Sequence, residues 1–365
     1  MTRTTPPRPL DPEALFPGLR AYRRTTTRLH PRPGTAGPAE SSVGGPLLWP
    51  ADEPWPVCAA AHRKNTGYRL AHVRAYRELL AAAWRRDPGH GPTEAEREEL
   101  TRLGRRERRV PGIEDEDPVP LLAAAQFYAR DIPDLPAGPD GADLLQVLWC
   151  PFEAHGPERS IDVVLRWRRA ADVTRALAVM PEPRLAGRRE CVPAPCVLDP
   201  EQVVEHEYAD LLDDALRDAV DAWEDEQLAL EEAALEAAEE EPGGSYASFA
   251  EYEAAMAARP APPETFSYRH DLSIAPGWKV GGYASWHLTD PARVDCSVCR
   301  TPMRPLLTVG SGEWDGTTSW VPLEDRHLIG APGASTPTEV HLGRDEMRVF
   351  VCPDDLTHPH RLSFQ

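Results

Sequence analysis

With 365 residues, 41% of them hydrophobic, the chain is long enough to bury one large core or two ordinary ones. Its formal charge of -19 argues against a general affinity for nucleic acid or anionic membranes, which select basic surfaces, and favours a basic protein partner. No apolar run approaches the roughly 20 residues that cross a bilayer, and the N-terminus lacks the apolar centre of a secretory signal, so we expect a cytoplasmic protein.

The first part of the chain is predicted to contain an arm and an interrupted folded segment. Residues 1–40 are rich in proline, arginine and threonine without periodicity, which is typical of a flexible arm. A first folded segment is expected over 41–167, with a helical insertion at about 63–118. The insertion shows helical spacing of apolar residues over 68–84. A very polar second helix, over 93–109, opens on a capping-box sequence.

Three short runs after the insertion predict strands, at 121–128, 144–149 and 161–167. Each is enriched in β-branched, aromatic or large apolar residues and is bounded by turn formers. The first run is rich in alanine, so a helix remains an alternative there.

A connector is predicted over 168–276, before a second folded segment over 277–365. It begins with a coil that many prolines interrupt and continues as a long helix over 205–241, followed by a shorter helix over 248–259. The distal part of the long helix is nearly all glutamate, alanine and leucine. This acidic part either spaces the segments in solvent or masks basic residues of a partner.

The two folded segments share five landmarks in the same order, which predicts a duplicated unit. Val-Gly-Gly-xxx-Trp occurs at 43–49 and again at 280–286, and a cysteine follows each time, Cys58 and Cys296. A Pro-Leu-Leu step and an apolar run ending in Cys-Pro complete the two copies, at 120–122 and 147–151 and at 305–307 and 349–353. We therefore expect an α+β fold, a pseudo-duplicated β-rich core of two related halves with helical insertions.

The glycine pairs, two further cysteines and two acidic residues are predicted to have structural roles. Neither pair belongs to a phosphate-binding sequence, so the glycines are expected to allow a tight turn or close packing under Trp49 and Trp286. We interpret Cys191 and Cys196 as packing residues, with metal binding as the alternative. The acids that flank Trp314 are expected to face solvent; they are Glu313 and Asp315.

Cysteines and a histidine of the second copy predict a zinc site. Cys296 and Cys299 form a CxxC, which presents two thiolates on one turn, and Cys352 follows downstream. Zinc accepts thiolate and imidazole in any mixture of four, so His358 completes the set, with His360 as the alternative. Free thiols on an exposed turn are another interpretation. Redox chemistry is disfavoured because the prolines after the CxxC prevent the helix that a thioredoxin-like motif requires.

The first copy has a cysteine or histidine at each matching position. Cys58, His62, Cys150 and His155 predict a second site with two sulfur and two nitrogen ligands. The alternative is that this copy has lost the metal and that its cysteines are ordinary buried thiols.

These motifs resemble those of the YwqG-like family of bacterial proteins of unknown function. More distantly, the chain is similar to the programmed cell death protein 2 family, which shares a duplicated Gly-Gly, CxxC and strand-Cys pattern and serves as dedicated chaperones of a ribosomal protein. The resemblance covers 43–155 and 279–360, and 197–201 also fits it. It implies a duplicated β-rich α+β fold and carries over to the residues that match the motifs: Gly281, Gly282, Cys296, Cys299 and Cys352. The chain departs from the pattern at His62, where the family has a cysteine at CxxC spacing.

The sequence favours a cytoplasmic zinc-binding protein that acts as a protein-interaction or chaperone-like module for a basic client. A site with four protein ligands leaves no position for a substrate water, and the sequence contains no assembled catalytic triad. The alternative is a zinc-dependent hydrolase with an open site in the first copy and Glu153 as its general base.

Overall fold

The computed structural model describes residues 2–156, 159–239, 248, 251, 263–314 and 318–365. Its α-helices within these residues are Pro12–Leu15 (α1), Leu70–Arg86 (α2), Glu94–Leu103 (α3) and Asp214–Glu239 (α4). The strands are Arg23–Arg28 (β1), Arg32–Pro33 (β2), Ser42–Val43 (β3), Val57–Cys58 (β4), Tyr68–Arg69 (β5), Val119–Pro120 (β6), Leu122–Tyr128 (β7), Leu144–Trp149 (β8), Val163–Arg168 (β9), Leu185–Ala186 (β10), Cys196–Val197 (β11), Glu201–His206 (β12), Lys279–Gly281 (β13), Arg304–Gly310 (β14), Glu346–Val351 (β15) and Arg361–Phe364 (β16). Helices and antiparallel sheets are both present, so the predicted α+β class is confirmed.

The chain forms two structural units. The first consists of Met1–Pro6, Thr25–Val204 and Ala275–Gln365, and the second of Pro7–Arg24 and Glu205–Ile274. These units do not follow the predicted boundaries, because both predicted halves belong to the first unit and the predicted arm is shared between the two.

The first unit is built around two six-stranded sheets. One has the order β2-β11-β3-β7-β8-β9 and the other the order β12-β1-β13-β14-β15-β16. In the first sheet Val43 pairs with Ala125, which pairs with Val147. The corresponding pairs of the second sheet place Val280, Leu307 and Val349 in register.

The strand pairings also show where the sequence landmarks are offset. A register shift lies between Ala123 and Ala125 in β7 and between Pro305 and Leu307 in β14. When the two sheets are aligned by the residue pairs given above, the two register shifts fall at the same place. In this alignment Pro120 corresponds to Pro302. The Pro-Leu-Leu steps are therefore three residues out of register, although the other landmarks correspond. Duplication itself stays a prediction.

Alternate residues of the central strands face two different apolar clusters, as the pleat of a strand requires. Val147 and Trp149 of β8 join a core that contains residues of both sheets, and the rings of Trp149 and Trp278 lie 6.4 Å apart. Leu148 and Cys150 join the second cluster, on the opposite face of β8. The first metal-site prediction therefore falls at the edge of a well-packed cluster.

The prediction of a flexible arm over 1–40 is wrong for β1, which is an inner strand of the second sheet. Thr26, Thr27 and Arg28 are fully buried. Threonine suits a strand because its branched side chain packs on the pleated surface. Burial of Arg28 is compatible with folding because its guanidinium donates hydrogen bonds to the carbonyl oxygens of Trp320 and Glu313, at 3.0 and 3.1 Å.

Most of the predicted elements of the first half are confirmed. Helix α2 and strands β7, β8 and β9 form where the sequence places them, although β7 contains three alanines. Thr93 and Glu96 form the predicted capping box of α3. The helix ends at Leu103 and not at the predicted residue 109. Gly104 follows Leu103 and lowers the local helix propensity.

The long helix of the connector begins later than predicted. Residues 201–206 form β12, and α4 starts only at Asp214. Glu205 and His206 are buried at the end of β12, so the predicted helix start at residue 205 is wrong. Glu313, which was expected to face solvent, is also buried, and Asp315 lies outside the described residues.

The second unit has its own small apolar cluster. Phe16, Leu212, Val220 and Tyr268 pack together, and the rings of Phe16 and Trp223 meet edge to face at 5.9 Å. Of the predicted helix over 248–259 only residues 248 and 251 are among the described residues, and the segment directly after α4 lies outside them. Within the described part of the chain, no helix is both long enough and apolar enough to cross a bilayer.

The buried His30 is expected to make the fold sensitive to acid. Burial, together with the nearby Arg28, lowers the pKa of His30 from 6.5 to about 4, although Glu201 lies 3.2 Å from its Nε2. A histidine with a lower pKa in the folded state stabilises the fold above pH 6.5 and loses this contribution as the pH falls towards 4. As the pH falls from 7 to 4.5, we expect the unfolding free energy to decrease by about 2 kcal/mol because of His30.

Urea unfolding at both pH values tests this expectation. Replacing His30 by asparagine should reduce the acid-induced loss by that amount, and asparagine tolerates the positive φ of 44° at this position. His90→Asn is the control, because His90 is 89% exposed and should leave the acid response unchanged. An equal acid-induced loss in wild type and His30→Asn would contradict the assignment.

Candidate metal centres

The four predicted ligands of the second copy lie together. Single ligand atoms of Cys296, Cys299, Cys352 and His358 are all within 4.8 Å of one another. The sulfur atoms of Cys299 and Cys352 are 3.4 Å apart, and Cys296 Sγ lies 3.4 Å from Nδ1 of His358. His360 lies outside this group, so the geometry selects His358 of the two histidines that the sequence left open.

Local backbone structure places these side chains. The amide of Cys296 donates to the carbonyl of Thr301, and the amide of Arg300 donates back to Cys296, which closes a tight turn. The amide of Val298 points at Cys296 Sγ, at 3.4 Å. Cys352 directly follows β15, so the end of this strand and the turn before β14 supply three of the four ligands.

The four predicted ligands of the first copy also lie together. Ligand atoms of Cys58, His62, Cys150 and His155 are all within 4.8 Å of one another. Nε2 of His62 is 3.4 Å from Cys58 Sγ and 3.5 Å from Cys150 Sγ. Nε2 of His155 is 3.8 Å from Cys58 Sγ. The first set therefore contains four ligand atoms close together, with Nε2 of both histidines facing the cysteine sulfurs.

The scaffold of the first set matches that of the second. Cys58 pairs with Val119 across β4 and β6, and the amide of Leu121 donates to Pro56, at 3.0 Å. The corresponding bond of the second set runs from Met303 to Val294, at 2.8 Å. Cys150 directly follows β8, as the third cysteine of the other set follows β15. In each half the ligands come from a paired turn and from the end of a central strand.

Both sets have the dimensions of a tetrahedral zinc site. Zinc binds sulfur at about 2.3 Å and imidazole nitrogen at about 2.0 Å, so the edges of its tetrahedron measure roughly 3.3–3.8 Å. The sulfur and nitrogen contacts of both sets, 3.4 to 3.8 Å, fall within this range. All ligand atoms of each set lie within 4.8 Å of one another, so each set could hold a metal ion.

The protonation of the first set favours neutral imidazoles. Burial lowers the pKa of His62 to about 4 and also lowers the pKa of His155. A neutral imidazole has the free lone pair that a metal requires at pH 7. Burial and the neighbouring Cys58 raise the pKa of the Cys150 thiol. Binding a cation here would release that proton, because a coordinated thiol is deprotonated.

The second set is more open to solvent. Cys299 is exposed, whereas Cys296 and Cys352 are buried. Hydrogen bonds with Thr301 lower the pKa of Cys299 to about 6, and burial raises the pKa of Cys352. One thiolate is thus available near neutral pH at the surface end of this set.

Asp355 is an additional member of the second site that was not predicted. Its Oδ2 lies 3.6 Å from Nε2 of His358, on the side of the ring away from the cysteines. Carboxylates in this position orient a ligating imidazole and fix its tautomer. The spacing of three residues between Asp355 and His358 was the available sequence signal.

Other predicted candidates lie outside both sets. Cys191 and Cys196 are buried, and Cys196 Sγ donates to the carbonyl of Pro337, at 3.3 Å, as expected for packing residues. Glu153 accepts a hydrogen bond from Arg188 at 2.7 Å. This ion pair holds the carboxylate that the hydrolase alternative requires as a general base.

The comparisons with known proteins add no relative. No protein-family model matches the chain, and a search of curated proteins also finds no match. The resemblance to the YwqG-like and programmed cell death protein 2 families therefore stays a prediction from the motifs. What the structure establishes is that two groups of cysteine and histidine side chains have the positions needed to bind a metal ion.

Proposed function

We propose that this protein holds one zinc ion in each of two closed structural sites and acts as a chaperone-like binding module for a basic protein client. The observation that carries the metal part is the geometry of two sets of four ligand atoms with tetrahedral edge lengths. Thiolate and imidazole together favour zinc, whereas calcium and magnesium prefer oxygen ligands.

Both zinc ions would have a structural role. In each half the ion would link a cysteine that directly follows a central strand, β8 or β15, to ligands from another segment of the chain. Four protein ligands leave no coordination position for a reacting water. The ion pair between Glu153 and Arg188 further disfavours a hydrolase, because it occupies the proposed general base.

Charge supports a basic client. The chain has 59 acidic residues against 40 lysines and arginines, so a cationic segment would be attracted from a distance. Helix α4 adds exposed leucines among acids, and Leu228 and Leu235, seven residues apart, lie on one face of the helix. Such a surface suits a basic segment with apolar side chains, as a chaperone of an unassembled nucleic-acid-binding protein would meet. The resemblance to a chaperone family points in the same direction.

Affinity capture from a cell extract tests the client. The tagged full chain should retain a basic protein at low salt and lose most of it at high salt, because exposed charges are screened. A variant with Glu231, Glu232 and Glu236 changed to glutamine should retain several-fold less. In the control variant, Glu94 and Glu98, which are exposed acids of α3, are changed to glutamine. This variant should retain as much of the basic protein as wild type. Background capture alone at both salt concentrations would refute the client.

A further inference from the structure

A pocket beside the first metal site is lined by arginines. It has a volume of about 630 Å³, and Arg63, Arg106, Arg159 and Arg188 line it together with Glu153. Pockets of this size accommodate small molecules. The four guanidinium groups and one carboxylate leave three formal positive charges around a single cavity of a chain whose overall charge is -19.

Two of these arginines are available for a ligand. Arg63 and Arg106 are exposed, and within the described part of the chain neither side chain has a hydrogen bond or an ion pair. Arg188, by contrast, is held by Glu153 at 2.7 Å. A pocket that gathers four arginines against one carboxylate has the charge of an anion site.

The backbone around the pocket fixes the positions of these arginines. Gly67 and Glu107 exchange two backbone hydrogen bonds, at 2.8 and 3.1 Å, which brings the segment of Arg106 beside the segment of Arg63. Strands β5 and β10 pair directly next to them. The amide of Gly187 donates to Pro151, at 2.8 Å, and places Arg188 on the same cavity. The lining is therefore assembled from segments that hydrogen bonds hold together.

We propose that this pocket binds a small molecule that carries a phosphate or pyrophosphate group. A guanidinium offers a planar fork of donors that matches phosphate oxygens, and several arginines around one cavity suit an anion with more than one charge. Tyr68 and Phe152 form apolar parts of the lining, which gives an organic phosphate a surface for its uncharged portion. The chemistry shared by inorganic phosphate, pyrophosphate and nucleotides is the part that the arginines recognise.

The anion site is separate from the metal site, although they share one wall. His62 lines the pocket with part of its ring, while its Nε2 belongs to the first set of metal ligands. Anion binding through the arginines does not depend on the identity of a protein client. Measuring zinc content and folding of each variant distinguishes a failure of the anion site from a failure of the metal proposal.

Isothermal titration calorimetry of the full chain with pyrophosphate tests the site. Arg63→Ala and Arg106→Ala should each weaken binding about tenfold, the effect of losing one charge-assisted contact. Arg108→Ala is the matched control, because Arg108 is exposed and close in sequence but does not line the pocket. Arg106→Lys should recover only part of the affinity, since an ammonium cannot form the planar fork.

Parallel titrations with inorganic phosphate, adenosine monophosphate and citrate identify the ligand class. Tighter binding of the nucleotide than of inorganic phosphate supports an organic phosphate and a contribution from the aromatic lining. Equal binding of the two supports recognition of the phosphate alone. The proposal is wrong if folded protein binds no pyrophosphate, if Arg108→Ala weakens binding as much as Arg106→Ala, or if citrate binds more tightly than pyrophosphate.

Discussion

Replacing Cys352 by serine should remove one of two zinc ions and destabilise the first unit strongly. Protein purified without added metal should contain two equivalents of zinc, and the variant should contain one. Structural zinc contributes on the order of 10 kcal/mol to the folding of small zinc domains. With the remaining core in place, we expect a loss of about 4 kcal/mol or more, since Cys296 and Cys352 are buried and the ligand set is left incomplete. Elemental analysis and urea unfolding measure the two effects.

Two further cysteine variants make the test specific. Cys150→Ser should remove the other zinc ion, because Cys150 belongs to the first ligand set. Cys196→Ser should keep both ions, since Cys196 lies outside the sets and a serine can still donate to Pro337. Zinc content of two equivalents in all three variants, or of zero in the wild type, would contradict the proposal of two structural sites.

Replacing Gly44 by alanine should also destabilise the fold strongly. Gly44 has a φ of 62°, which costs an alanine roughly 1 kcal/mol or more. An added Cβ would also lie 2.7 Å from the carbonyl oxygen of Ala194, which is backbone and cannot rotate away. We expect the unfolding free energy to fall by about 3 kcal/mol or more in urea unfolding, because strain and overpacking act together.

Gly89→Ala provides the comparison for this variant. Gly89 is exposed, and an added Cβ would meet only the carboxylate of Asp87, at 3.6 Å. Its stability should change by less than about 1 kcal/mol, in either direction. If Gly44→Ala were destabilised no more than Gly89→Ala, the loop around Gly44 would be free to move. That result would contradict the close packing in the structure.

The two candidate sites were predictable because their signals are local and chemically narrow. Few residue types bind zinc, and Cys296, Cys299 and Cys352 are spaced as a turn and a strand end require. The first set was recognisable only through its correspondence with the second. The predicted strands, such as β8, followed from short runs of large apolar, aromatic and β-branched residues that turn formers bound.

Long-range pairing explains what the sequence did not reveal. Thr26, Thr27 and Arg28 look polar along the chain, but β13 and distant carbonyl groups satisfy them. The same applies to Glu205 and His206, whose charged appearance suggested a helix start although they end a strand. The arginine-lined pocket was also missed, because residues 63, 106 and 188 come together only through pairing of separate segments.

The insertion over 63–118 leaves and re-enters the fold at neighbouring points, since Cys58 pairs with Val119. At the equivalent place in the other half, a tight turn joins Cys296 to Thr301. The entropic cost of closing a loop rises only slowly with loop length, so this junction tolerates either a long insertion or a tight turn. It is thus a natural grafting point, at which one half could gain a new recognition element without disturbing the architecture that carries it.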